Sequence, residues 1–108
     1  MPRNLLALLV AGGFATCPGT AFANPEAGKV KARPCAVCHG QLGVSMLPDA
    51  PHLAGQPERY LADQLKAYRS GKRTHEIMTL MAKPLSDEDI ADLAAWFSSL
   101  QIEVKPVP

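Results

Sequence analysis

Two cysteines and a histidine lie together in the segment Cys35-Ala36-Val37-Cys38-His39, and these residue types at this spacing could hold a haem covalently. Two thiols three residues apart can each add to one vinyl group of the same porphyrin, which forms two thioether bonds. The imidazole of His39 directly follows the second thiol, where it can bind the iron. The pattern therefore predicts one haem c, attached through Cys35 and Cys38 and ligated on one side by His39.

Two other kinds of site use a C-x-x-C pair. A thioredoxin-like dithiol site needs a βαβ context, and this chain shows little strand pattern. A zinc site needs about four ligands in a tetrahedral arrangement, and His39 is poorly placed as a third ligand because it is adjacent to Cys38. Covalent haem is therefore the favoured interpretation, with zinc binding and dithiol chemistry as the alternatives.

The first 23 residues have the pattern of a secretory signal. Arg3 precedes an uncharged apolar run at 5–15, and the Ala-Phe-Ala segment at 21–23 has the small-x-small form of a cleavage site. The apolar run is shorter than the roughly 20 residues that cross a bilayer, which disfavours a retained membrane anchor. We expect residues 1–23 to be a signal peptide that is removed on export to the periplasm. Residues 24–108 would then form one domain without stable membrane insertion.

Composition and charge give no indication of a nucleic-acid partner or of a fold held by disulfides. The formal net charge is +1 at pH 7, and no basic stripe indicates a nucleic-acid partner. Removal of the signal peptide also removes Cys17, so both remaining cysteines belong to the haem motif and no disulfide framework is expected. A domain this small buries a modest fraction of its surface, and a tethered haem would add apolar volume to its core.

Hydrophobic periodicity predicts an all-α domain with about three main helices wrapped around one covalently bound haem. The first helix should run from Pro25 to about Arg33, because Pro34 cannot continue it. The second should run from near Pro57 to Ser70, on an apolar stripe formed by Leu61, Leu65 and Tyr68.

The third helix has the strongest pattern. Ser86 with Asp89 three residues later resembles a capping box. The helix that follows carries one apolar stripe, with Trp96 at its edge, whose members are Ile90, Leu93, Phe97 and Leu100.

The connecting segments 40–56 and 72–85 are predicted to be loops. The first is rich in glycine and proline, which disfavour regular structure. Gly40 lacks a Cβ, so its backbone could lie close to the haem. The second loop carries Met78 and Met81.

A haem iron ligated by one histidine needs a second axial ligand or stays open. A methionine thioether favours reduced iron and raises the reduction potential, whereas a second histidine lowers it. Spacing alone does not separate Met78 from Met81, and both histidines outside the motif lie in polar loops where exposure is expected. The full set of candidates is Met46, His52, His75, Met78 and Met81.

Over nearly all of residues 25–100 the chain resembles a class I cytochrome c, nearest to the cytochrome c4 and c5 type. The resemblance implies the class I cytochrome c fold and one-electron transfer between ferric and ferrous iron. The segments that carry it are Glu26-Ala27-Gly28-Lys29, Cys35–Gly40, Leu53-Ala54-Gly55-Gln56, Tyr60-Leu61, Gln64-Leu65, Met78 and Leu85-Ser86-Asp87.

The resemblance also implies roles for single residues. In that family the ligand methionine stands seven residues before the leucine of the Leu-Ser-Asp segment, and Met78 fits this offset. A family proline twelve residues after the haem histidine accepts the other imidazole N–H through its carbonyl, and Pro51 matches that position. Gly28 is implied to let the first helix cross closely against the last, at Trp96 or Phe97.

These expectations describe an exported, single-haem electron carrier whose partners are redox proteins that dock transiently. No general base, nucleophile or substrate pocket is indicated, so the chain is not predicted to be an enzyme. Two alternatives stay open. One is a haem sensor or small-molecule catalyst with an open iron site, and the other is a fixed electron-transfer subunit of a dehydrogenase or oxidase complex.

Overall fold

The computed structural model describes residues 11–15 and 22–108, so most of the predicted signal peptide lies outside the described residues. Within them the fold is all-α, as predicted, and no helix is long and apolar enough to cross a membrane. A 3-10 turn at Arg33–Cys35 joins the first two helices. The helices are α1 (Pro25–Lys31), α2 (Ala36–His39), α3 (Glu58–Ser70), α4 (Glu76–Ala82) and α5 (Asp87–Ser99).

Helix α4 corrects the prediction of a loop over 72–85, and with α2 it raises the helix number above the expected three. His75 explains where α4 begins. Its Nδ1 accepts hydrogen bonds from the backbone N–H groups of Ile77 and Met78 at 3.2 and 3.3 Å. Its own N–H donates to Thr79 Oγ1 at 2.9 Å. Histidine is not among the favoured N-cap residues, and a seven-residue helix is too short to display a clear period.

The predicted ends of the longer helices are largely confirmed. Helix α1 ends at Lys31, two residues before the expected end, and Asn24 caps its start by accepting from the backbone N–H groups of the first turn. The Ser86 hydroxyl accepts from the Asp89 N–H, and the Asp89 carboxylate accepts from the Ser86 N–H, both at 3.0 Å. The predicted capping box is therefore present at the start of α5.

Helices α1 and α5 cross at Gly28. A Cβ placed on Gly28 would lie 1.9 Å from the Asp92 carbonyl oxygen and 2.8 Å from Trp96 Cβ. The expected close crossing is therefore confirmed, with Trp96 as the aromatic neighbour. Lys29 Nζ lies 5.5 Å from the centroid of the Trp96 ring, in a cation–π contact beside the crossing.

The crossing predicts that Gly28→Ala destabilises the domain. Helix propensity alone would favour alanine by about 1 kcal/mol, but the added methyl group overlaps the backbone of α5, and overpacking costs about 1–3 kcal/mol or more. Thermal unfolding of the haem-loaded protein measures the sign of the change. Lys29→Ala at the neighbouring exposed position is the control and should have a small effect. A Gly28→Ala variant as stable as the wild type would contradict the close crossing.

The hydrophobic core is formed between α1, α3 and α5, and it contains few large side chains. Half of the ten buried hydrophobic residues in the described part of the chain are alanines. The polypeptide therefore contributes little apolar volume of its own. The central cluster consists of Ala32, Leu61, Leu93, Ala94 and Phe97.

Candidate haem-binding site

The two thiols of the motif lie on consecutive short elements. Cys35 ends the 3-10 turn and Cys38 lies in α2, so the helical backbone brings side chains three residues apart to neighbouring positions. Both cysteines are half-buried and neither forms a disulfide. Burial raises the pKa of the Cys35 thiol above its ordinary value, which keeps this group protonated.

His39 is the last residue of α2 and is buried, with 6% of its surface exposed. Its Nδ1 lies 2.9 Å from the Pro51 carbonyl oxygen. A carbonyl can only accept, so Nδ1 carries the proton and donates it to this bond. The remaining nitrogen, Nε2, therefore holds a free lone pair that can ligate a metal. The structure thus brings together His39 and Pro51, and the bond fixes the orientation of the ring.

Ser45 supports the motif from the loop, and the sequence did not single it out. Its buried hydroxyl donates to the Cys38 carbonyl oxygen at 2.9 Å, and its N–H donates to His52 Nδ1 at 2.8 Å. The Leu47 N–H donates to the Ser45 hydroxyl at 3.0 Å. These bonds tie the loop at 40–56 to α2. A single serine in a loop has no periodic signal by which sequence could have identified it.

Gly40 is required by the turn that follows α2. The residue follows α2 with φ at 82°, and a Cβ placed there would lie 2.0 Å from the Val44 carbonyl oxygen. The missing Cβ therefore permits the tight turn of the loop.

The candidates for the second axial ligand differ in burial. Met78 is half-buried at the third position of α4, whereas Met81 is 39% exposed and Met46 is 92% exposed. His52 and His75 are exposed, as expected, and each uses Nδ1 to accept backbone N–H groups. Met78 is therefore the most buried of the five candidates, although Met81 is only partly exposed.

Arg69 holds the connection between α4 and α5 in place. Its guanidinium donates to the Leu85 carbonyl oxygen at 3.0 Å and to Asp87 Oδ1 at 2.6 Å. The same contact holds the pKa of Asp87 below its usual range. Because α4 packs on α3, this bond helps to fix where Met78 lies. Arg69 thus serves the fold, although its basic neighbours at the end of α3 could also face a partner.

The chemistry of these donors fits a covalent haem. The motif offers two half-buried thiols and a buried imidazole whose Nδ1 is already occupied. Two apolar side chains beside Met78 on α4 are strongly exposed, at 52% for Ile77 and 66% for Leu80. Exposed apolar surface of this kind marks a ligand-binding or interaction site, and it suits contact with a porphyrin.

Comparison with known proteins agrees with this site. The family model described as cytochrome c matches residues 26–101. A cytochrome c4 of Pseudomonas aeruginosa is 45% identical over 104 residues, which are 96% of this chain and 51% of that relative. Cytochrome c-554(548) of Halomonas halodenitrificans is 49% identical over 79 residues, 70% of this chain and 95% of the relative. A thiosulfate dehydrogenase electron acceptor of Thiomonas intermedia is 42% identical over 110 residues, which cover 98% of this chain and 48% of that relative.

A solved structure gives the same result for the fold. Reduced recombinant cytochrome c4 from Pseudomonas stutzeri superposes with a TM-score of 0.70 at 43% identity, over 73% of this chain and 46% of that one. The chain spans about half the length of the cytochrome c4 relatives, at 51%, and nearly all of cytochrome c-554(548), at 95%. The sequence motif, the site and these likenesses together show that the chain belongs to the cytochrome c family and carries covalent haem c.

Proposed function

We propose that this chain carries single electrons between redox proteins and uses one haem c to do so. The observation that supports this most directly is the 2.9 Å bond between His39 Nδ1 and the Pro51 carbonyl oxygen. It orients the imidazole and leaves Nε2 available to iron, beside two thiols with the spacing needed for attachment. The haem supplies the iron that alternates between the ferric and ferrous states.

Each side chain of the site has a distinct part in this proposal. Cys35 and Cys38 would hold the haem through two thioether bonds. His39 and Met78 would be the two side chains that ligate its iron. The Pro51 carbonyl increases the basicity of the His39 ring, and the Met78 thioether favours ferrous iron.

Two axial side chains would leave no iron position for a substrate, and this is why we propose a carrier and not an enzyme. An open-site sensor or catalyst would require Met78 to stay away from the iron. Partners would be redox proteins that dock transiently over areas below about 1,200 Å². We further propose that residues 1–23 direct export to the periplasm, where redox partners and not nucleic acids or membranes would bind the domain.

A potentiometric titration of the purified holoprotein tests the carrier function. We expect a reversible, one-electron transition without hysteresis, and haem that stays on the polypeptide through acid–acetone extraction and mass spectrometry. Haem that is extracted by acid–acetone would contradict attachment through Cys35 and Cys38. An irreversible transition, or turnover of a small molecule at the iron, would contradict a simple carrier.

A second candidate is an electron acceptor bound to a dehydrogenase. It is favoured by the relative whose name describes it as a thiosulfate dehydrogenase electron acceptor. Size-exclusion chromatography of extracts from the native host separates the two possibilities. A free carrier elutes at the mass of the single domain, whereas a permanent subunit elutes with its dehydrogenase.

A further inference from the structure

Asp92 is a buried carboxylate outside the haem site, with 3% of its surface exposed. It lies on the buried face of α5 and is held from two directions. Lys31 Nζ donates to Asp92 Oδ2 at 2.6 Å, and the backbone N–H of Asn24 donates to Asp92 Oδ1 at 2.8 Å. Lys31 Nζ also lies 3.0 Å from Asp89 Oδ1. The cluster thus joins the start of α1 to α5.

The charges of this cluster do not balance in the uncut chain. Lys31 supplies one positive charge, while Asp89 and Asp92 supply two negative charges. The Lys31 ammonium holds the pKa of Asp92 below its usual range, and the Ser86 backbone, followed by Lys31, does the same for Asp89, so both carboxylates stay ionised. A buried carboxylate is stable only when it is paired and hydrogen-bonded. With one ammonium group for two carboxylates, the cluster therefore carries a net charge of −1, and Asp92 is its buried member.

The backbone nitrogen of Asn24 lies 2.8 Å from Asp92 Oδ1, where a positive charge on this nitrogen would pair with the buried carboxylate. The folded domain begins at Asn24, because the Asn24 side chain caps α1 and its N–H donates to Asp92. Two residues earlier, Phe22 is 91% exposed. The bond between Ala23 and Asn24 directly follows the small-x-small segment, so it lies at the boundary between the predicted signal peptide and the folded domain.

We propose that, once the expected signal peptide is removed between Ala23 and Asn24, the new α-ammonium group of Asn24 forms an ion pair with Asp92. This rests on the export proposed above. In the cleavage, water adds across the amide: the carbon–nitrogen bond breaks, hydroxyl goes to the Ala23 carbonyl carbon, and hydrogen goes to the Asn24 nitrogen. An endopeptidase that accepts small residues catalyses the step, and at neutral pH the amine binds one further proton. Cleavage thereby gives the buried Asp92 carboxylate a second cationic partner and stabilises the mature domain.

The ion pair predicts a particular dependence of stability on pH. An α-amine ordinarily has a pKa of about 7.7–8.0, and the Asp92 carboxylate raises that pKa in the folded state. The stabilisation is then fully present below the ordinary pKa and is lost as pH rises through the folded pKa. The other charged groups on the two facing helices are Glu26 in the first turn of α1, Lys29 and Lys31 in its last turn, and Asp87, Glu88 and Asp89 in the first turn of α5.

The test compares two exported holoproteins, one that begins at Asn24 and one that keeps a single alanine before Asn24. The added alanine preserves the amide N–H at Asp92 but moves the charge one residue away. We expect the form that begins at Asn24 to unfold at a midpoint about 4–8 °C higher at pH 6.5, and the difference to vanish by pH 10. The same pair of forms with Asp92→Asn should show no such difference.

N-terminal sequencing of the wild-type exported protein should give Asn24 as the first residue. A different first residue would overturn the cleavage site. Equal midpoints for the two forms at every pH would overturn the ion pair, and this comparison does not require the Asp92→Asn variant to fold. Neither failure would alter the haem spectrum or the one-electron titration, so failure of this inference is distinct from failure of the proposed electron-carrier function.

Discussion

Replacing Met78 with alanine is expected to remove the sulfur-to-iron charge-transfer band of the ferric protein, lower the reduction potential and let the ferrous protein bind carbon monoxide. Each effect follows from the loss of a thioether that otherwise occupies the iron and favours its reduced state. Absorption spectra and a potentiometric titration of the purified variant measure all three. The half-burial of Met78 on α4, beside apolar side chains that project into solvent, supports this assignment.

Met81→Ala is the matched control, because Met81 lies three residues further along the same helix. It is 39% exposed, so its loss should cost less than the roughly 2–5 kcal/mol typical of a buried methionine. The charge-transfer band, the potential and the resistance to carbon monoxide should all persist. If Met81→Ala removes them and Met78→Ala does not, the ligand assignment is wrong while the fold stands.

The second large effect concerns haem attachment. Cys35→Ala combined with Cys38→Ala should abolish covalent haem and leave little stable holoprotein. The physical reason is the thin core, in which half of the ten buried hydrophobic residues are alanines, so the chain alone buries too little apolar area. Mass spectrometry reports the bound haem, and circular dichroism during heating reports the cooperativity of unfolding.

Val37→Ala is the control for that variant. Val37 lies between the two cysteines and is 81% exposed, so its replacement should retain haem and the thermal transition. A haem-free double cysteine variant that unfolds as cooperatively as the wild type would show that the polypeptide core is sufficient without haem.

Apolar patterns that extend over several helical turns made much of this fold predictable from the sequence. The apolar stripes on α3 and α5 repeat over several helical turns, so the sequence pattern predicts both helices. The capping box marks where α5 begins. Helix α4 could not be read in this way, because it has seven residues and its cap is a histidine whose Nδ1 accepts two backbone N–H groups. The hydrogen bonds to His75 therefore start a helix in a segment where the sequence pattern predicts a loop.

The residues of the site also differ in whether the sequence alone predicts their roles. The spacing of Cys35, Cys38 and His39 is a local chemical pattern, and it predicts haem attachment without knowledge of the fold. The choice of Met78 over Met81 needed a family resemblance, because both are methionines in one short segment. Asp92 did leave a signal, since an acidic residue interrupts the apolar face of α5, but its partners Asn24 and Lys31 lie more than 60 residues away.

The measurement that tests the central claim most directly is the visible spectrum of the reduced wild-type holoprotein before and after exposure to carbon monoxide. With His39 and Met78 both bound to iron, we expect a six-coordinate, low-spin spectrum that carbon monoxide leaves unchanged at neutral pH. A rapid shift to the spectrum of a carbon monoxide complex would contradict the closed site, and it would favour an open-site sensor or catalyst over an electron carrier.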